Sequence, residues 1–310
     1  MNAHAVRRAL RFVASALLFG ASIADAGVFR AYLSLNGNDG NPCTLPLPCR
    51  LLPAALNAIN SGGEIWMLDS ANFNGGTVNI PKSVSIQAIP GQVGSLVAVA
   101  GAPAVSISTG GVTIRLRNLA FTRNATNPGT YAIEMTAGLS LSVEDSAFTN
   151  FVSYAVYPHD FNGRVSVKNT TFTHNSDYAM FGQNGPIMSV MGSHFIQSGG
   201  VAALGTASST TVLTVSDCTF AGSNAAVAVD SEIGTATVKA AVNHSRLENG
   251  EYGVYIRGVG PASVALSDVM ITGNTHGVFQ DSGTVLSAGN NQIVGNGTDV
   301  AGTMTTAPLR

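Results

Sequence analysis

Short runs of alternating apolar and polar residues return along this chain at a nearly constant interval. With Phe121, Phe148, Phe172, Phe195, Phe220, Leu247, Ile271 and Ile293 as anchors, the intervals are 27, 24, 23, 25, 27, 24 and 22 residues. The segments ending at the anchors read IRLRNLAF, LSVEDSAF, VSVKNTTF, MSVMGSHF, LTVSDCTF, AAVNHSRL, VALSDVMI and LSAGNNQI. Five residues before the anchor the position is apolar, from Leu116, Val143 and Val167 through to Leu266 and Ala288. Seven before, it is apolar again, from Ile114 and Leu141 to Val264 and Leu286, and the residue between is mostly polar. That period of two is the signature of a strand with one face inward. Three before the anchor stand Asn118, Asp145, Asn169, Gly192, Asp217, His244, Asp268 and Asn290. Asn, Asp and Gly tolerate left-handed backbone, so a one-residue bend is expected there. After the bend, the residue two before the anchor points inward, which places Ser146, Ser193, Cys218 and Val269 in the core.

A polar turn follows each anchor, often with Asn, as at Asn150, Asn175, Asn249 and Asn274. A further strand comes next, reading YAIEM, YAVYP, YAMFG, VAALG, AAVAV, YGVYI and HGVFQ. Each repeat is thus three short strands joined by tight bends. Equivalent strands of successive repeats stack in parallel at about 4.8 Å, and each coil buries its apolar columns only against its neighbours. The pattern predicts an all-β parallel β-helix of about nine three-strand coils over 64–296, with 297–310 as a loose tail. Residues 27–63 read as an N-terminal strand, a cysteine loop and a cap. Within the cap, 49–63 (CRLLPAALNAINSGG) carries Leu51, Leu52, Ala55, Leu56 and Ile59 at helical spacing, with Gly62 as its stop. A short amphipathic helix is therefore expected to plug the first coil.

Residues 1–26 do not fit the repeat. Arg7, Arg8 and Arg11 precede an apolar run from Phe12 to Ile23, and Ala24-Asp25-Ala26 ends it. This is the layout of a secretory signal peptide. Its dozen apolar residues fall short of the roughly 20 that a membrane span needs. A secreted or periplasmic location and no membrane span are expected. Cleavage removes three Arg and one Asp, leaving 12 Lys and Arg against 16 Asp and Glu, a net charge of −4. Nucleic-acid binding relies on clustered cations, which this chain lacks. Cys43 and Cys49 lie six apart, and in an oxidising compartment they are expected to form a local disulfide.

The segment GNDGNPCTLPLPCRLLPAALNAINSGGEIWMLDSANFNGGTVNIPKSVSIQA and the coils after it resemble the secreted bacterial right-handed β-helix repeat proteins of the pectin-lyase-like superfamily. The resemblance spans nearly all of the chain after residue 26 and implies a right-handed parallel β-helix. It does not select an activity, because fold does not fix function. Polygalacturonase-like members carry Asn-x-Asp, paired Asp, Gly-His-Gly and Arg-x-Lys; the last three are missing from this sequence. Asp160-Phe161-Asn162-Gly163 only faintly echoes a pectin-methylesterase segment and reads as a turn.

What remains is a face. The outward column of the YAI-type strands reads Glu134, Tyr157, Phe181, Leu204, Ala228, Tyr255 and Phe279, with His159, Asp160, Asp230, Arg257 and Asp281 near the strand ends. Asp230 and Arg257 fall on adjacent coils, close enough to pair. Glu134, Tyr157, Asp160, Phe181, Asp230, Tyr255, Arg257 and Phe279 form the candidate binding face, suited to a polysaccharide or a surface partner. The plain structural alternative is an aromatic stack with solvated turn carboxylates beside it. No catalytic residue is assigned and no cofactor is expected. Calcium enters only through the strand-end carboxylates. Two functions fit: a non-catalytic exported scaffold that binds glycans or proteins along a strand face, and a divergent polysaccharide-active enzyme.

Overall fold

The computed structural model describes residues 27–307. The expected signal segment, 1–26, lies outside the described residues. The described chain is a parallel solenoid of about ten turns built from three parallel sheets of twelve, nine and ten strands. Neighbours in each sheet come from successive coils. Strand Ser140–Glu144 of the first sheet lies between Thr113–Arg117 and Arg164–Lys168, with Leu141 opposite both Ile114 and Val165. Ten coils at about 4.8 Å give a rod on the order of 45 Å long.

This register puts like residues on like residues down the core. Phe121, Phe148, Phe172, Phe195 and Phe220 of the second sheet are all buried. Their rings stack with centroids 4.2–4.9 Å apart and planes within 10° of parallel. The bend between the first and second sheets falls on the Asn/Asp/Gly column. Asn118, Asp145, Asn169, Gly192, Asp217, His244 and Asp268 all have φ between 46° and 58°.

The residue after each bend turns inward, and where it is Ser, Thr or Cys its side chain caps the strand it follows. Ser146 donates to the Glu144 carbonyl at 2.7 Å and accepts from the Leu119 amide at 3.2 Å. Thr170 and Ser245 donate to Lys168 and Asn243 in the same way. Cys218 takes this place in its coil, buried, with its thiol directed at the Ser216 carbonyl. Burial pushes that thiol up to about 11 from an ordinary 9. A raised thiol pKa favours the folded state below about 9, and that advantage is lost as pH rises through about 11. Cys218 should therefore not react with a thiol reagent in the native protein at neutral pH. One equivalent should react on unfolding, and native labelling at the unfolded rate would refute the placement.

At the N-terminal end, Val28–Leu33 pairs in parallel with Ile59–Met67. Cys43 and Cys49 are bridged and buried. The plug is shorter than its sequence pattern suggests. The helix runs from Leu52 to Ala58, burying Leu52, Ala55 and Leu56. Ile59, expected on the helix, is extended (φ −88°, ψ 154°) and already pairs with Val28, so the first coil opens at Ile59 rather than Glu64.

Two expectations fail at the C-terminal end. In the last full coil Val285 and Ser287 are the buried positions and pair with Val264 and Leu266, whereas Leu286 and Ala288 point away. The left-handed bend there falls on Gly289 (φ 85°), one residue before Asn290, and a one-residue shift reverses every side chain of a strand. The segment taken as a tail continues the solenoid: Thr298–Ala301 and Met304–Thr306 pair with the coil before them. Among the described residues no helix is long and apolar enough to cross a membrane.

Candidate binding face

The outer surface of the third sheet is shaped by a break in alternation. In Tyr154–Pro158 the consecutive residues Ala155 and Val156 are both buried, which brings Tyr154 and Tyr157 to the same outer side. The same happens around Ala179-Met180, Gly253-Val254 and Gly277-Val278. The first of each inward pair must be small. A Cβ on Gly253 would fall 2.4 Å from Ile271 Cγ2, and on Gly277 3.0 Å from Ile293 Cγ2.

Each break doubles the rings on the surface. Tyr131, Tyr154, Tyr157, Tyr178 and Phe181 form one cluster, with Tyr154 stacked on Phe181 at 4.3 Å and His159 stacked on Tyr157 at 4.1 Å. Tyr252, Tyr255, His276 and Phe279 form a second, with Tyr255 stacked on Phe279 at 5.6 Å. Tyr157, Phe181, Tyr255 and Phe279 are each half-buried, so the column is outward and partly wet. Tyr131, Tyr154, Tyr178 and Tyr252 went unassigned in the sequence reading. Their signal was the Tyr that recurs three residues before the column.

The column between the clusters departs from expectation at one position. Phe181 pairs with Ala202, Ala202 with Ala228, Ala228 with Tyr255, and Tyr255 with Phe279. Leu204 lies two residues further along, between Gln183 and Asp230. Val201 is six residues past its anchor Phe195, while its partner Met180 is eight past Phe172, so this turn is two residues shorter. Gly199 and Gly200 make the short turn feasible. A Cβ on Gly199 would lie 1.5 Å from the Asp177 carbonyl oxygen, and on Gly200 2.1 Å from that of Ala226.

The result is a cleft. Ala202, Ala225 and Ala228 form a buried floor flanked by Tyr178 and Phe181 on one side and Tyr252 and Tyr255 on the other. Phe181 and Tyr255 are three coils apart, about 14 Å of axial rise. The space is about 210 Å³, and Leu204, Asp230, Glu232 and Arg257 close one end. Two shallow depressions of about 360 Å³ lie elsewhere on the rod and hold a single aromatic ring between them, Trp66.

At the charged end, Arg257 Nε donates to Asp230 at 2.6 Å and its Nη2 lies 3.8 Å from Glu232. The hydrogen bond to Asp230 raises the guanidinium pKa further above its ordinary value. Beside the first cluster, His159 bridges two carboxylates, with Nδ1 2.8 Å from Asp160 and Nε2 3.5 Å from Glu134. Asp160 occupies a left-handed turn (φ 58°), and hydrogen bonds from His159 and Asn184 hold it below the usual carboxylate range. Tyr157 donates to Gln183 at 2.8 Å. Burial, with help from neighbouring tyrosines and carboxylates, pushes Tyr157 and Tyr178 up to about 12. Both hydroxyls therefore stay protonated across the neutral range.

Asn175-Ser176-Asp177 spells Asn-x-Asp, but Asn175 is buried and its amide donates to the Phe148 carbonyl and Ser198, so it serves the turn. Asp281 is exposed at the edge of the second cluster. Among the described residues no group of three or more His, Cys, Asp or Glu is placed to hold a metal ion.

Known structures share this architecture. A protein described as XylC, solved with xylose, matches over 79% of this chain and 69% of its own length, with a TM-score of 0.60 and 8% identity. Pectate lyase Pel9A matches over 90% of this chain and 77% of its own, with a TM-score of 0.55 and 13% identity. At such identities the likeness is one of fold, the right-handed parallel β-helix of pectin-lyase-like proteins. No protein-family model matches the sequence, and no curated protein does.

Proposed function

We propose that this protein is a non-catalytic β-helix scaffold that acts outside the cytoplasm and binds glycans along the outer face of its third sheet. The observation that carries the reading is the alanine-floored cleft between two half-exposed aromatic clusters. Partly wet rings in a row mark a contact surface, and the flat faces of Phe and Tyr suit the C–H faces of sugar rings. One relative in fold was solved with xylose. The Cys43–Cys49 bridge suits an oxidising compartment. Glycoside cleavage needs two carboxylates flanking the scissile bond. Here Asp230 is tied to Arg257, and Asp160 to His159 and Asn184.

A glycan array beside a lyase and hydrolase panel tests the reading. Tyr157→Ala combined with Phe181→Ala should abolish glycan capture while circular dichroism stays native and the melting temperature falls by less than two core phenylalanines would cost, since both rings are only partly buried. Undiminished capture by the double variant would place binding elsewhere. Turnover of any polysaccharide that disappears in Asp160→Ala or Asp230→Ala would overturn the non-catalytic part.

A further inference from the structure

We infer that the cleft over Ala202 and Ala228 takes a neutral pyranose polymer and excludes uronic-acid polymers. The inference rests on the glycan-binding reading above and narrows it.

Charge decides between the two classes. Arg257 is the one Lys or Arg in the described strands of the third sheet. Glu134, Asp230 and Asp299 lie in the same strands, and Asp160, Asp177, Glu232, Glu251 and Asp281 sit at their ends. A polymer carrying a carboxylate on every ring would be held against this acidic face, within reach of one cation. That cation is already engaged, at 2.6 Å by Asp230 and 3.8 Å by Glu232. A sugar carboxylate reaching the free Nη groups of Arg257 would meet Asp230 and Glu232 beside it, and one that displaced Asp230 would leave a side chain only 15% exposed charged and unpaired.

The same groups suit hydroxyls. An ionised carboxylate accepts hydrogen bonds and donates none, so Asp230 and Glu232, which line the cleft, offer sugar hydroxyls acceptors. The Tyr178 hydroxyl, kept protonated by burial, adds a donor to the same lining. Phe181 and Tyr255 supply apolar walls, and the alanine methyls leave the space between them for a ring. Neutral hydroxyls above, ring faces at the sides and an apolar floor describe an uncharged pyranose.

Affinity electrophoresis of the mature protein tests this, with gels containing arabinoxylan, galactomannan, xyloglucan or polygalacturonate at low and high salt. At least one neutral polymer should retard the protein, with little dependence on salt, and polygalacturonate should not. Ala228→Trp fills the cleft and should weaken the neutral-polymer affinity about tenfold or more; Ala202→Leu does the same with less bulk if the tryptophan variant fails to fold. Asp230→Asn with Glu232→Gln frees Arg257 and should gain salt-sensitive retardation by polygalacturonate. Wild-type binding to polygalacturonate, equal to or tighter than to any neutral polymer, would overturn the inference and leave the glycan-binding reading standing. So would neutral-polymer binding that the filling variants do not weaken. Retardation by none of the four polymers would overturn the inference, and a blank glycan array beside it would take down the glycan reading as well.

Discussion

Phe172→Ala should lower the melting temperature by about 10 °C, a loss matched only by the equally stacked Phe148 and Phe195 among the core rings. Phe172 is fully buried and stacked at 4.9 Å on Phe148 and 4.8 Å on Phe195. Truncating a buried Phe costs about 3–5 kcal/mol, because lost transfer energy adds to an unfilled cavity. The cavity here is slow to collapse: each flanking ring is anchored in its own coil, held on both edges by backbone pairing. At about 2–4 °C per kcal/mol for a domain near this size, the shift follows. Phe172→Leu should cost under about 1.5 kcal/mol, since Leu247 fills the equivalent place against Phe220. Phe220→Ala should cost less than Phe172→Ala because it breaks one ring stack rather than two. Scanning calorimetry checks the order. A Phe172→Ala shift below about 3 °C would mean that the stack closes over the gap. Because each coil rests only on its neighbours, a broadened or split transition is also expected.

That core was readable in the sequence because two local rules agree in every central coil. Alternation fixes which side chains face inward, and Asn, Asp or Gly marks the bend that ends the strand. Where the rules disagree, reading fails. In the last full coil Gly289 takes the bend one residue before Asn290, and the whole strand reverses, burying Ser287 instead of Ala288. Thr298–Ala301 and Met304–Thr306 were invisible as strands, since they carry little apolar alternation and are held by backbone pairing to the coil before. On the candidate face, Tyr157, Phe181, Tyr255 and Phe279 were legible as a column. The tyrosines three residues earlier were not, because period two assigns positions three apart to opposite sides. Only the paired inward residues, Ala155-Val156 and their equivalents, put them together. Ala202 was missed for a different reason: turn length sets register, and two glycines shortened this turn below its neighbours.

Those glycines carry the second large effect. Gly199→Ala should destabilise the protein by on the order of 3 kcal/mol, through overpacking against backbone rather than a flexible side chain. The new Cβ would stand 1.5 Å from the Asp177 carbonyl oxygen and 2.9 Å from Tyr178 Cα, both in the preceding coil. A Cβ on Gly200 would meet the following coil at 2.1 Å from the Ala226 carbonyl oxygen, so the turn is clamped from both sides. Lifting it would break the hydrogen bonds from Gly199 N to Asn175 O and from Ala179 N to Gly200 O. Gly234→Ala is the control, with no atom within 4 Å of its Cβ and an expected change within about 0.5 kcal/mol. Thermal melts of the two variants should differ by several degrees, and matched melting temperatures would show that the turn is looser than its packing implies.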